Sequence, residues 1–173
     1  MSSVKEHRNQ APAIVRCMII TVSDTRTPDT DISGSTMKEL LHAAGGFEII
    51  GYQIVKDEYA SIQALIREAA DRDGVEAILI NGGTGIAKRD TTYEAVRDVL
   101  DKEMPGFGEI FRYLSYVEDI GSAAILSRAV AGVYNDTAVF SMPGSSGAVK
   151  LAMGKIVIPE LKHVMREIYK DLI

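Results

Sequence analysis

The chain has 173 residues, a formal charge of −5, 46% apolar residues and 25% charged ones. That length favours one domain with a real core. No apolar run reaches the ~18 residues that suggest a membrane-spanning helix, so no membrane partner is expected. The acidic balance gives no electrostatic footprint for nucleic acid, so an anionic ligand has to be held by local geometry.

Residues 1–12 are polar and carry no signal-peptide core. They are expected to be a loose tail before a single domain spanning 13–173. Residues 14–22 form a β-rich run. Its lone Cys17 reads as a small buried hydrophobe and suits a reducing cytosol, so a cytoplasmic location is expected. The spacing of Met37, Leu40, Leu41 and Ala44 predicts a helix over 36–44, stopped by Gly45-Gly46. Residues 47–55 return to strand character, and Lys56-Asp57-Glu58 reads as a solvated loop. A helix is predicted over 61–72, with Ile62, Leu65, Ile66 and Ala69 on one face, and a buried strand over 75–80.

A helix over 92–101 follows, opened by Thr91 and Glu94 at capping-box spacing. Pro105-Gly106 marks a break before a helix over 109–119. Two short strands, 127–133 and 137–141, are joined at Asn135-Asp136, a hairpin signal. Helices are predicted over 148–157 and, after Pro159, over 160–172. This order predicts an α/β protein: a three-layer α/β/α sandwich with a mostly parallel central sheet and a short antiparallel hairpin.

In such sheets ligands lie beyond the carboxyl ends of the strands. Three loops qualify: residues 21–26, 81–90 and 142–147. The most informative is Asn81-Gly82-Gly83-Thr84-Gly85, placed directly after an apolar strand and followed by Arg89-Asp90. Glycines let bare backbone approach a ligand, and successive N–H groups can converge on an anion. A phosphate- or nucleotide-bearing ligand is therefore expected near residues 81–92. Each candidate also has a plain structural reading. Ser23-Asp24 could cap the chain as it leaves the sheet, and Gly82-Gly83 or Pro143-Gly144 could be simple turns. Asp90 could be a favourable charge near a helix start. Glu109 could be an ordinary first-turn acid, and Arg128 a surface charge. No P-loop, dinucleotide fingerprint or nucleophile elbow is present, and His7, His42 and His163 lack metal-ligand spacing.

The run Gly82-Gly83-Thr84-Gly85, continued by Arg89-Asp90-Thr91-Thr92-Tyr93-Glu94, resembles the signature of the molybdenum cofactor biosynthesis family that includes MoaB, MogA and the gephyrin G domain. Thr21-Val22-Ser23-Asp24, Asp31-Ile32-Ser33-Gly34, Pro105-Gly106-Phe107-Gly108-Glu109, Ser127-Arg128-Ala129 and Pro143-Gly144-Ser145 match further blocks in the right order, and the runs 106–112 and 143–149 look closer to MoaB than to MogA. Ala87 and Tyr93 depart from the family's commonest form. The resemblance implies binding of molybdopterin and its adenylylation by Mg-ATP with release of pyrophosphate. A MoaB-type pterin-binding or assembly protein with little turnover is the alternative. Carried over, the site comprises Asp24 and Asp90 as catalytic carboxylates and candidate Mg²⁺ ligands, with hydrogen bonding to the donor edge of the pterin as the alternative role for either one. Ser23, Gly82, Gly83, Thr84, Gly85, Glu109, Ser127, Arg128, Pro143, Gly144, Ser145 and Ser146 would contact the substrate and its phosphates. The resemblance also implies a homotrimer or homohexamer, with other proteins of the same pathway as partners.

Overall fold

The computed structural model describes residues 11–172, so His7 and all but the end of the expected tail lie outside the described residues. A six-stranded sheet forms the middle layer. Its strands are β1 (Val15–Val22), β2 (Phe47–Val55), β3 (Ala77–Asn81), β4 (Lys102–Glu103), β5 (Val130–Tyr134) and β6 (Thr137–Met142), in the order β2-β1-β3-β6-β5-β4. The pairs β2/β1, β1/β3 and β3/β6 are parallel, while β6/β5 and β5/β4 are antiparallel. Asn135 and Asp136 both have positive φ, 45° and 57°, as expected for the tight hairpin turn that joins β5 to β6. The two-residue β4, absent from the sequence reading, is short and exposed, and offers no apolar periodicity to detect.

Helices α1 (Ile32–Ala44), α4 (Pro105–Leu114), α5 (Ser146–Ala152) and α6 (Ile158–Tyr169) belong to one outer layer; α2 (Tyr59–Asp71) and α3 (Thr92–Val99) form the other. Side chains of a strand alternate between faces. Thus Cys17, Ile19, Leu79, Phe140 and Met142 join one core cluster, and Met18, Ile20, Ile78, Ile80 and Val139 the other. Central strands buried on both sides explain the near-continuous apolar runs. Burial pushes the Cys17 thiol up to about 12, with Glu76 adding to the shift, so Cys17 is an inert hydrophobe at neutral pH.

Three boundaries differ from the sequence reading for identifiable reasons. Helix α1 begins at Ile32 because the buried Asp31 carboxylate caps it, accepting from Gly34 N at 3.0 Å. Helix α4 begins at Pro105, where proline suits the first turn instead of marking a break; a wide π-type turn (Ser115–Asp119) and a 3₁₀ segment (Gly121–Leu126) follow. Between α5 and α6 the chain stays helical through a π-type turn (Met153–Val157), which accommodates Pro159 at the start of α6. No helix among the described residues is long and apolar enough to cross a membrane.

Candidate functional site at the carboxyl edge of the sheet

Strands β1, β3 and β6 are parallel, so their exits share one edge. There they surround a cleft of about 520 Å³. The glycine loop after β3 forms one wall. Gly82 and Gly83 have φ of 98° and 65°, and a Cβ on Gly82 would run into the Val22 carbonyl. A Cβ on Gly83 would overlap the Thr92 hydroxyl and the Asp57 carboxylate. Glycine is demanded at both positions by conformation and by close approach.

Three of the loop's carbonyls are already satisfied. Gly83 O accepts from Thr92 N at 3.1 Å, and Thr84 O from Arg128 Nε at 3.0 Å. Gly85 O accepts from Arg128 Nη2 at 2.5 Å. Among the described residues, the N–H groups of Gly83, Thr84 and Gly85 make no hydrogen bond. Such a loop offers donors rather than acceptors, which suits an anion.

The β6 exit supplies Pro143, Gly144 and Ser145. Gly144 packs on Gly82 so closely that a Cβ there would lie 3.0 Å from the Gly82 Cα, and its carbonyl accepts from Ser33 Oγ at 2.6 Å. The Ser145 hydroxyl caps α5 by accepting from Ala148 N at 3.3 Å. The β1 exit supplies Ser23 and Arg26. Ser23 Oγ accepts from Thr25 N and Arg26 N at 3.3 and 3.1 Å, a tight turn that folds Arg26 back toward α1. Ile120, Ala123 and Leu126, from the segment after α4, add an apolar wall that the sequence reading did not anticipate.

Of the expected residues, Ser23, Gly82, Gly83, Thr84, Gly85, Asp90, Ser127, Pro143, Gly144 and Ser145 come together around this cleft. Four do not line it. Glu109 is exposed on α4, and Ser146 is exposed at the start of α5. Arg128 binds Glu94 through Nη1, stacks near Tyr93 at 4.9 Å, and braces the glycine loop from outside the cleft. That pairing holds the Glu94 carboxyl below its ordinary range. Asp24 lines a neighbouring cleft, where Arg89 Nη2 lies 2.6 Å away and Asp57 N donates to it at 3.2 Å. The Arg89 hydrogen bond is the main cause of its lowered pKa.

The expected capping box is not formed. Thr91 makes no side-chain cap, and Glu94 is taken by Arg128. Asp57 serves that helix start instead: its Oδ1 accepts from Thr91 N at 3.0 Å and from Thr91 Oγ1 at 2.8 Å. Asp57 is only 7% exposed, so the solvated-loop reading of residues 56–58 is corrected for it. One signal could have revealed Asp57: β2 is parallel to β1, so its exit also reaches this edge. Ser127 and Arg128 reach it differently, because β5 runs antiparallel and begins where its neighbours end.

Magnesium binds to one or two carboxylates together with water and substrate phosphates. Asp90 is the carboxylate lining the cleft and fits that role. Asp24 does not fit it while paired to Arg89. Among the described residues, no three His, Cys, Asp or Glu side chains converge as a metal centre.

A doubly covered, mostly parallel sheet with a glycine-walled cleft at its carboxyl edge defines a ligand-binding α/β domain. The family profile described as a probable molybdopterin binding domain matches residues 18–163, and the chain belongs to this molybdenum cofactor biosynthesis family, in its MoaB branch. Molybdenum cofactor biosynthesis protein B of Halalkalibacterium halodurans is 69% identical over 169 residues, covering 98% of this chain and 99% of its own. A crystal structure of a molybdenum cofactor biosynthesis protein B is similar with a TM-score of 0.90 and 55% identity, over 93% of this chain and 99% of that one. The tungsten cofactor synthesizing protein MoaB from Pyrococcus furiosus gives 0.80 and 36% identity, over 91% and 98%.

Proposed function

We propose that the cleft binds molybdopterin and that the protein adenylylates its terminal phosphate with Mg-ATP in the cytoplasm. The observation that carries this reading is the glycine loop: the carbonyls of Gly83, Thr84 and Gly85 are occupied, while their N–H groups, unpaired among the described residues, remain for phosphate oxygens. The apolar wall of Ile120, Ala123 and Leu126 suits one face of a bicyclic ring. In the reaction, a phosphate oxygen of the pterin bonds to the α-phosphorus of ATP. The bond from that phosphorus to the bridging oxygen breaks, and pyrophosphate leaves with the electron pair. A phosphate monoester is already ionised at neutral pH, so the protein's task is positioning and charge stabilisation. Asp90 would hold the Mg²⁺ that accompanies the nucleotide, and that ion would neutralise phosphate charge.

A second reading, a pterin-binding assembly protein with little turnover, rests on the commitment of Asp24 to Arg89. Purified protein with molybdopterin and Mg-ATP separates the two, with pyrophosphate and adenylylated pterin as readouts. Product supports transfer; tight pterin binding without product supports the assembly role; neither product nor binding removes both. The same reading includes a homotrimer or homohexamer. The exposed apolar side chains Ile110, Tyr113, Tyr116 and Val117 supply a face for a second copy, and a light-scattering mass tests it.

A further inference from the structure

We propose that Arg26 is the side chain that holds the ligand's phosphate, and that Arg128 is a brace of the glycine loop. This rests on the reading of the cleft as a site for a phosphate-bearing ligand. Three arginines stand near the glycine loop; Arg128 has all three nitrogens committed to the protein, and Arg89 is paired to Asp24 outside the residues that line the cleft. Arg128 commits Nε to Thr84 O, Nη2 to Gly85 O and Nη1 to Glu94. Arg89 commits Nε and Nη2 to Asp24. Arg26 uses Nη1 alone, on Ser33 Oγ at 2.5 Å and Asp31 Oδ1 at 3.3 Å; its Nε and Nη2 have no protein partner among the described residues. Among the described residues it is also the one cationic side chain lining the 520 Å³ cleft.

The anchor is built to hold the guanidinium still. Asp31 is 2% exposed and fixed by Gly34 N and by the Tyr52 hydroxyl, which donates to Oδ2 at 2.7 Å. Ser33, fully buried, accepts from Arg26 and donates to the Gly144 carbonyl, so it joins the β1 exit to the β6 exit. An arginine fixed at one nitrogen keeps part of its planar fork for two phosphate oxygens, with less side-chain entropy to lose on binding.

Position adds a second point. Arg26 and Ser23 line both the main cleft and the adjoining cleft of about 470 Å³ that contains Asp24 and Lys56. A cation on the shared wall is placed for a phosphate that joins an occupant of one cleft to an occupant of the other. The ligand class is therefore a phosphate monoester or a polyphosphate chain, with the charge read by Arg26 and the oxygens by the glycine-loop amides.

The test is calorimetric titration of wild type, Arg26→Gln and Arg26→Lys with three probes: inorganic pyrophosphate, molybdopterin, and a pterin lacking phosphate. Circular dichroism checks the fold. Arg26→Gln should weaken pyrophosphate and molybdopterin about tenfold or more while leaving the unphosphorylated pterin within about twofold. Arg26→Lys keeps the charge without the fork and should recover only part of the loss. Equal affinity of folded Arg26→Gln and wild type for pyrophosphate overturns the proposal, as does failure of wild type to bind pyrophosphate. If Arg26→Gln fails to fold, Arg26→Lys decides: a pyrophosphate loss of less than about tenfold, with the unphosphorylated pterin unaffected, supports a charge contact, and a loss of about tenfold or more overturns it. Wild type that binds pyrophosphate but not molybdopterin removes the pterin reading and leaves the role of Arg26 standing.

Discussion

Left-handed glycines sit at opposite ends of the same sheet, yet they are there for different reasons. At the amino edge, Gly45 has φ of 70° and a Cβ on it would meet nothing within 4 Å among the described residues. At the carboxyl edge, Gly83 has φ of 65°, and a Cβ there would overlap two side chains. The first glycine only turns the chain. The second also lets the β3 exit pack against the helix start of α3 and the β2 exit, which brings four loops around one cleft.

The largest expected effect comes from breaking that contrast directly. Gly83→Ala combines left-handed strain with overlap and should cost about 3 kcal/mol and remove ligand binding. Gly45→Ala carries only the conformational penalty and should cost about 2 kcal/mol with binding retained. Urea midpoints together with pyrophosphate titration measure both; equal losses at the two glycines would show that close approach contributes nothing.

Next in size is Asp57→Ala. It strands the Thr91 N–H and hydroxyl beside the buried Thr92 hydroxyl, which already lacks a partner among the described residues. About 2–3 kcal/mol should be lost, read as a lower unfolding midpoint, with weaker ligand binding because Thr91 follows Asp90.

Asp31 sharpens the comparison through pH. Burial works to raise its pKa, but hydrogen bonds from Thr21, Gly34 N, Tyr52 and Arg26 outweigh it and leave the pKa lowered. The unfolded chain therefore binds more protons than the folded one in the acid range. The stabilisation is complete above the unfolded value of about 3.9 and is lost as pH falls through the folded value. Asp31→Asn should lower the melting temperature at pH 7, and its gap from wild type should narrow in acid. A gap that stays constant from pH 7 to pH 3 would argue against an ionised, hydrogen-bonded Asp31.

The smallest effect separates a brace from a surface pair. Arg128→Gln gives up two loop carbonyls and Glu94 and should cost about 1–2 kcal/mol. Arg97→Gln, at the exposed Arg97–Asp98 pair, should stay within about 0.5 kcal/mol. Indistinguishable thermal midpoints for the two variants would show that Arg128 braces nothing.

The linear chain by itself determined the layers and the general place of the site. Helical and strand periods are local, and strand followed by Gly82-Gly83-Thr84-Gly85 is legible because glycine's missing Cβ is a property of the residue. The tertiary structure alone decided which charged groups face the cleft. Asp57 and Thr91 are 34 positions apart, as are Arg128 and Glu94, while Ser33 and Gly144 are 111 apart. The antiparallel turn of β5 carries Arg128 to the outer side of the glycine loop, and the Ser23 turn folds Arg26 back toward Ser33. Hydrogen-bond partners are chosen by distance in space, and a pattern along the chain carries no record of that distance.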